Sequence, residues 1–290
     1  MALLDIIVLA IIQGITEFLP ISSSGHLVLW PLLTGRPDQG ARMDVAVHFG
    51  TLIAVCLYFR AETRGLFAGT RDILIGRWRT PAARLAWLVG IASVPAVAAG
   101  LAIKLADVQD AMRTIAVIGW TTLVGGILLW AADRWGPTHR RAASAGAGDG
   151  ATADVPGWRL SDALAMGLAQ TLALVPGTSR SGITMTAARA LGFQREEAAR
   201  LSLVMAIPLI LAATAVETAG ALAGGELTGA EGAQGLAAVT DLALGALLSC
   251  LAALAALWTM MRMFAERWTM TPFVIYRVGL GLALLGTAYL

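Results

Sequence analysis

The sequence predicts an all-α polytopic membrane protein with about six transmembrane helices plus two re-entrant helical hairpins in an inverted-topology repeat. Hydrophobic residues make up 57% of the 290 positions, charged residues only 14%, and the mean hydropathy is +0.73. Several apolar runs are long enough to span a bilayer, which takes about 20 residues. Two further apolar segments are interrupted by Pro, Gly and Ser. Membrane lipids are therefore expected partners, and the small net charge of +2 gives no reason to expect nucleic acid.

The first interruption lies near the N-terminus. The apolar run 6–16 covers only about half of the hydrocarbon core. Glu17, Pro20 and three consecutive serines follow, and Pro and Ser favour the end of one helix and the start of another. Non-helical backbone is tolerated at membrane depth where it is buried in protein or lines a wet cavity. The segment 6–35 therefore predicts a re-entrant hairpin.

The remaining apolar runs predict six spans and a second hairpin. The second interruption, 176–182, again lies inside an apolar segment. A Gly- and Ala-rich stretch within 134–157 predicts a flexible linker, which would join halves 1–133 and 158–290 of a single membrane domain, 1–290. The predicted spans are 45–59, 85–103 and 114–132 in the first half, and 201–216, 242–261 and 268–290 in the second.

The two halves are predicted to be an inverted repeat. The segments 13–25 and 170–182 both begin with Gln, pass through Pro and Ser, and end with Gly. Three spans in the first half make the second copy enter the membrane from the opposite side, and such repeats place their site near the midplane. Lys and Arg are concentrated in segments on one predicted face, which the positive-inside rule assigns to the cytoplasm. Both termini are then expected outside.

Ionisable residues at membrane depth are energetically costly and usually functional. Glu17, His26 and Arg180 meet this criterion. Arg180 lies between glycines that allow the backbone to turn its N–H groups toward an anion, and a guanidinium can bind phosphate through two hydrogen bonds. Ser23 or Ser24 could attack phosphorus or donate hydrogen bonds to it, and His26 could transfer the proton. The pattern predicts a site for an anionic head group.

A divalent cation is expected at this site because Glu17 would otherwise repel a phosphate. Gln13, four residues before Glu17, and Asp44 are further candidate ligands. The alternative for Gln13 is a hydrogen bond within the hairpin, and the alternative for Asp44 is a helix start favoured by the macrodipole.

The motifs at 13–26 and 176–181 resemble the two signature motifs of the undecaprenyl-diphosphatase (bacitracin-resistance) family. Similar segments at 43–50 and 195–200 extend the resemblance along essentially the whole chain. The resemblance implies hydrolysis of undecaprenyl diphosphate to undecaprenyl phosphate and inorganic phosphate, recycling of the cell-wall lipid carrier, and bacitracin resistance. It also implies a cation, Mg²⁺ or Ca²⁺, and a site in the bacterial plasma membrane that opens on the periplasmic side.

By position, the resemblance assigns catalysis to Glu17, Ser23, His26 and Arg180. Two departures stand out: Gln13 is neutral where the family has Glu or Gln, and His48 stands where Gln is expected, with no role assigned to it. The residues predicted to bind phosphate or substrate are Ser22, Ser24, Gly177, Thr178, Ser179 and Ser181.

Several alternatives remain open at this stage. Ser22 is also a candidate helix cap, and Thr178, Ser179 and Ser181 are expected to contact either phosphate or backbone. Arg277 is expected at an interface or paired across helices. A lipid-phosphate flippase or secondary transporter that uses the same midplane site is the alternative function. A homodimer is a further expectation.

Overall fold

The computed structural model describes residues 3–35, 40–106, 108–137, 157–223 and 233–290. Within these ranges, all regular secondary structure is helical. A short 3₁₀ turn, Leu172–Leu174, follows the eighth helix. The helices are α1 Leu3–Phe18, α2 Ser23–Thr34, α3 Gly40–Tyr58, α4 Arg60–Leu74, α5 Pro81–Leu105, α6 Gln109–Met112, α7 Ile115–Trp135, α8 Leu160–Thr171, α9 Arg180–Ala190, α10 Arg195–Ala223, α11 Ala233–Ala265 and α12 Thr271–Tyr289.

The long apolar helices confirm the prediction of an all-α polytopic membrane protein. Five helices of the described chain, α5, α7, α10, α11 and α12, are long and apolar enough to cross a membrane. A sixth candidate combines α3 with α4, which bends away from it by 96°. Each predicted span overlaps one of these helices.

Both interrupted segments form pairs of short helices. Helices α1 and α2 contain 16 and 12 residues, and helices α8 and α9 contain 12 and 11. Each is shorter than the roughly 20 residues needed to cross the hydrocarbon core. The broken helices are therefore present where the sequence predicts them, whereas their entry from opposite faces stays a prediction.

The helices of the two halves correspond along the chain. The shift in sequence that carries Ser22 onto Ser179 also brings α1, α2, α3, α5 and α7 onto α8, α9, α10, α11 and α12. The packing follows the same relation, since α1 packs against α11 while α8 packs against α5. These observations agree with an inverted repeat. The linker 134–157 lies largely outside the described residues, and the division into halves stays a prediction.

Close approach between α3 and α11 depends on glycine. A Cβ atom added at Gly50 would collide with the carbonyl oxygen of Ala246 in α11. Small residues at such contacts allow membrane helices to pack closely. We therefore expect Gly50→Ala to destabilise the protein by about 1–3 kcal/mol, the usual cost of overpacking. Thermal melting in detergent measures this change.

Gly90 in α5 provides the matched control, because an added Cβ there meets nothing within 4 Å. Gly90→Ala should leave the melting temperature unchanged or raise it slightly, since Ala has the higher helix propensity. Equal melting temperatures for the two variants would show that the α3–α11 contact tolerates a methyl group.

Candidate active site

Two serines with the same unusual backbone precede the second helix of each broken pair. Ser22 has φ 78° and Ser179 has φ 67°, values in a region that residues other than Gly seldom occupy. The Ser22 hydroxyl accepts a hydrogen bond from the Gly25 N–H at 3.3 Å, and the Ser179 hydroxyl accepts one from Gly182 at 3.1 Å. These caps satisfy one free N–H group at the start of α2 and of α9. The two breaks are therefore built in the same way.

The two breaks also touch. A Cβ atom at Gly25 would lie 3.5 Å from the Cα of Gly177. The Ser181 hydroxyl of the second break donates a hydrogen bond of 2.9 Å to the carbonyl oxygen of Leu19 in the first. The structure therefore brings both breaks into one site.

Glu17 is the centre of this site and is 8% exposed. Its Oε1 accepts a hydrogen bond from Arg180 Nη2 at 3.2 Å. Its Oε2 accepts hydrogen bonds from Ser23 Oγ at 2.6 Å and from Gln13 Nε2 at 3.0 Å. Arg180 also donates from Nη1 to the carbonyl oxygen of Ser202 in α10, at 3.3 Å. Three of the four predicted catalytic side chains, Glu17, Ser23 and Arg180, thus lie together.

His26 makes a separate set of contacts. Its Nδ1 lies 2.6 Å from the carbonyl oxygen of Ser22, and its Nε2 lies 2.6 Å from the Tyr276 hydroxyl. Because a carbonyl oxygen can only accept, Nδ1 carries the hydrogen, and Nε2 of the neutral ring accepts from Tyr276. The two rings also stack, with centroids 5.8 Å apart. The predicted proton transfer by His26 stays a prediction.

A cavity of about 300 Å³ adjoins the first turn of α2. Its polar lining includes Ser24, Asp44, His48 and Arg113, and Pro176 of the second break also lines it. Apolar residues from α2, α5, α6 and the 3₁₀ turn complete the wall. A pocket with a few polar groups in an apolar wall suits a ligand with a charged head and a hydrocarbon chain.

The other predicted phosphate-binding residues are occupied with backbone contacts. The hydroxyls of Ser22 and Ser179 cap helices, and Ser181 holds the first break. Gly177 and Thr178 offer carbonyl oxygens, which accept hydrogen bonds of 3.2 and 2.8 Å from Arg277. For the serines these are the backbone roles that the sequence left as alternatives. Binding of phosphate at these positions stays a prediction.

Arg277 forms more hydrogen bonds to the two breaks than its place in the sequence suggests. It is fully buried in α12 and donates to Pro20 O at 3.2 Å in the first break, as well as to Gly177 and Thr178 in the second. It also donates to two carbonyl oxygens of α7. The signal in the sequence is one Arg within an apolar span, but the pattern does not show that carbonyl groups would surround it. Arg277 joins the two breaks.

The chain matches a known protein family over nearly its whole length. The family described as "Bacitracin resistance protein BacA" matches residues 6–283. This chain belongs to the BacA family. Among its relatives, proteins named undecaprenyl-diphosphatase from Jannaschia sp. (strain CCS1) and Dinoroseobacter shibae are 48% and 49% identical, each over 100% of both chains. A third, from Maricaulis maris, is 43% identical over 98% of both chains. The family expected from the motifs at 13–26 and 176–181 is confirmed.

The residues of this BacA-family site fit a divalent cation in part. Within the described ranges, no group of three or more His, Cys, Asp and Glu side chains is placed to hold a metal ion. The Glu17 carboxylate nevertheless lies beside Gln13, whose buried Oε1 has no hydrogen-bond partner in the described chain. With these two oxygens as ligands, several coordination positions of a hard cation would remain for diphosphate oxygens and water. Asp44, the third predicted ligand, lines the adjoining cavity.

Proposed function

We propose that this BacA-family protein is a membrane-embedded phosphatase that converts undecaprenyl diphosphate to undecaprenyl phosphate and inorganic phosphate. The observation that carries the proposal is the meeting of Ser23, Glu17 and Arg180 from two breaks in membrane helices. The names of the relatives support the choice of substrate. This activity would recycle the lipid carrier of cell-wall synthesis and confer resistance to bacitracin.

The site offers several groups for the diphosphate. Arg180 presents a planar guanidinium that can bind two phosphate oxygens. Ser23 and Arg180 are the first residues of α2 and α9, so the free N–H groups at both helix starts lie at the site. Helix N-termini favour anions, and two of them suit the charge of a diphosphate. The adjoining cavity would receive the start of the prenyl chain.

The short hydrogen bond between Ser23 and Glu17 favours Ser23 as nucleophile, because the carboxylate is placed to accept the hydroxyl proton. In the proposed step, Ser23 Oγ bonds to the terminal phosphorus and its proton moves to Glu17 Oε2. The bond from that phosphorus to the bridging oxygen breaks, and undecaprenyl phosphate leaves. Water then releases inorganic phosphate from Ser23. Arg180 stabilises the charge on the transferred group.

A divalent cation, Mg²⁺ or Ca²⁺, held by Glu17 and Gln13 would neutralise part of the diphosphate charge. The competing route is attack by water, with Ser23 only donating a hydrogen bond to phosphate. Quenched turnover with labelled substrate separates the routes, because only the first leaves labelled phosphate on the protein.

At the position in the second half that corresponds to this cavity, the side chains are buried. Along the repeat, the cavity residues Asp44 and His48 correspond to Leu201 and Met205. These two side chains are 1% and 0% exposed and belong to the main hydrophobic core. An apolar core at the position equivalent to the cavity favours an enzyme over an alternating-access transporter. We assign the cavity to the periplasmic side, with both termini outside, from the distribution of Lys and Arg. The homodimer stays a prediction.

The decisive experiment is phosphate release by the purified full-length protein in detergent, where no second compartment exists. We expect multiple turnovers with undecaprenyl diphosphate and a divalent cation. A folded, monodisperse preparation that releases no phosphate under any cation would overturn the proposed hydrolysis.

Glu17→Gln should lose most turnover while the protein stays folded. The amide retains the size of Glu17 and can still accept a hydrogen bond from Arg180, but it cannot take the Ser23 proton or bind a hard cation as strongly. Turnover across a cation titration, with melting temperature as the folding check, measures the effect. Wild-type turnover in Glu17→Gln would rule out both roles.

Gln13→Glu is the matched variant, since it adds a carboxylate to the site, whereas Glu17→Gln removes one. This variant should remain active at saturating cation, and its turnover should depend on cation concentration more steeply than that of wild type. Two carboxylates in a buried site repel each other unless a cation lies between them. A cation dependence unchanged from wild type would place the ion elsewhere.

A further inference from the structure

One ring nitrogen of His48 faces the active site and forms no hydrogen bond with any described residue. Its Nδ1 lies 2.7 Å from the carbonyl oxygen of Asp44, so Nδ1 carries the hydrogen. In the neutral ring, Nε2 then has a free lone pair, and no described residue forms a hydrogen bond with it. Metal-binding histidines are commonly fixed in this way, with the other N–H donated to a backbone carbonyl.

The free nitrogen lies beside the predicted cation-binding carboxylate. Nε2 of His48 is 4.0 Å from Glu17 Oε2. This separation is too long for a hydrogen bond, yet it is short enough for one ion to contact both atoms at about 2.0–2.2 Å each. His48 also lines the cavity and keeps 27% of its side chain exposed. His26, in contrast, has both ring nitrogens hydrogen-bonded.

We propose that His48 Nε2 is a ligand of the divalent cation at Glu17, which makes this a mixed nitrogen and oxygen site. The inference rests on the cation of the proposed function and adds a consequence for the choice of metal. Imidazole suits Zn²⁺ and the neighbouring late transition metals such as Co²⁺, whereas Mg²⁺, Ca²⁺ and Mn²⁺ prefer oxygen. The chain should therefore bind Co²⁺ more tightly, relative to Mg²⁺, than a variant with an amide at this position.

The experiment compares the wild type with His48→Gln as full-length proteins in detergent, and the probes are the metals alone. Co²⁺ titration followed by visible absorption gives affinity, and competition by Mg²⁺ gives selectivity. Pulsed EPR of bound Mn²⁺ reports directly on coupling to a ligand nitrogen. The chain contains three histidines, and His139, within the predicted linker, supplies the control His139→Gln.

In wild type and His139→Gln we expect saturable Co²⁺ binding and nitrogen coupling on Mn²⁺. His48→Gln should lose the nitrogen coupling and about 10–100-fold of its Co²⁺ affinity, a range typical of damage to a metal site. Its Mg²⁺ affinity should change by less than about threefold, because the oxygen ligands remain. The melting temperature without metal confirms that the variant is folded.

The proposal is overturned if His48→Gln retains nitrogen coupling, if its Co²⁺ affinity equals that of wild type, or if wild type shows no saturable Co²⁺ binding. These outcomes are separate from failure of the proposed hydrolysis. A protein that releases no phosphate but loses nitrogen coupling in His48→Gln would support the ligand and refute the reaction. A wild-type protein that turns over substrate but shows no nitrogen coupling on Mn²⁺ would support the reaction and refute the ligand.

Discussion

Arg180→Lys should lower turnover at saturating substrate by about 10²–10³-fold, the loss expected when one transition-state donor is removed. Arg180 uses two different nitrogens, one for Glu17 and one for the Ser202 carbonyl, and so aligns its planar guanidinium across the site. A Lys ammonium keeps the charge but is a compact donor that cannot reproduce this fork. Arg180→Ala should therefore be only slightly worse than Arg180→Lys.

Arg200→Lys is the matched control, because Arg200 lies in α10 and pairs with Glu62 away from the two breaks. It should keep near-normal turnover, with melting temperatures showing that both variants are folded. A folded Arg180→Lys protein with normal turnover and only a raised KM would show that Arg180 contributes equally to substrate and transition-state binding.

The membrane spans could be predicted because apolar run length depends on local sequence alone. The positions of the helix ends were predicted less accurately. Helix α3 begins at Gly40 and α10 continues to Ala223, beyond the predicted 45 and 216. Hydrogen bonding along the backbone carries a helix past the apolar core, where hydropathy no longer marks it.

Helix α4, Arg60–Leu74, is absent from the sequence prediction for a different reason. It carries charged residues and lies in a basic segment that hydropathy assigns to a loop. Its buried face includes Glu62, which pairs with Arg200 from the other half of the chain. That partner is known only once the tertiary structure is known.

The site was predictable to the extent that charge at membrane depth is costly. This rule selects Glu17 and Arg180, and they form an ion pair with 3.2 Å between Arg180 Nη2 and Glu17 Oε1. It does not separate His26, with both nitrogens bonded, from His48, with one nitrogen free near Glu17. That difference depends on which carbonyl and hydroxyl groups the packing brings to each ring. For the same reason, the sequence does not show that carbonyl groups surround Arg277.

Arg277→Met should destabilise the protein by at least about 3 kcal/mol and remove most turnover. The change leaves several buried carbonyl groups without a donor, and each costs about 1–3 kcal/mol. These carbonyls belong to both breaks, so the alignment of Ser23 with Arg180 should be lost as well. Arg262→Met is the control: Arg262 is exposed and pairs with exposed Glu266, so its loss should cost less than about 1 kcal/mol.

A double-mutant cycle with Gly125 tests whether the Arg277 guanidinium occupies the space that this glycine leaves, or whether the variants only damage the core in general. A Cβ atom at Gly125 would meet the Arg277 guanidinium, so Gly125→Ala should be strongly destabilising in the wild type. In the Arg277→Met background that guanidinium is gone, and the same methyl group should cost less. Melting temperatures of the four proteins give the coupling directly. Strictly additive losses would show that Gly125 does not make room for Arg277, and the position of its guanidinium between the two breaks would then be wrong.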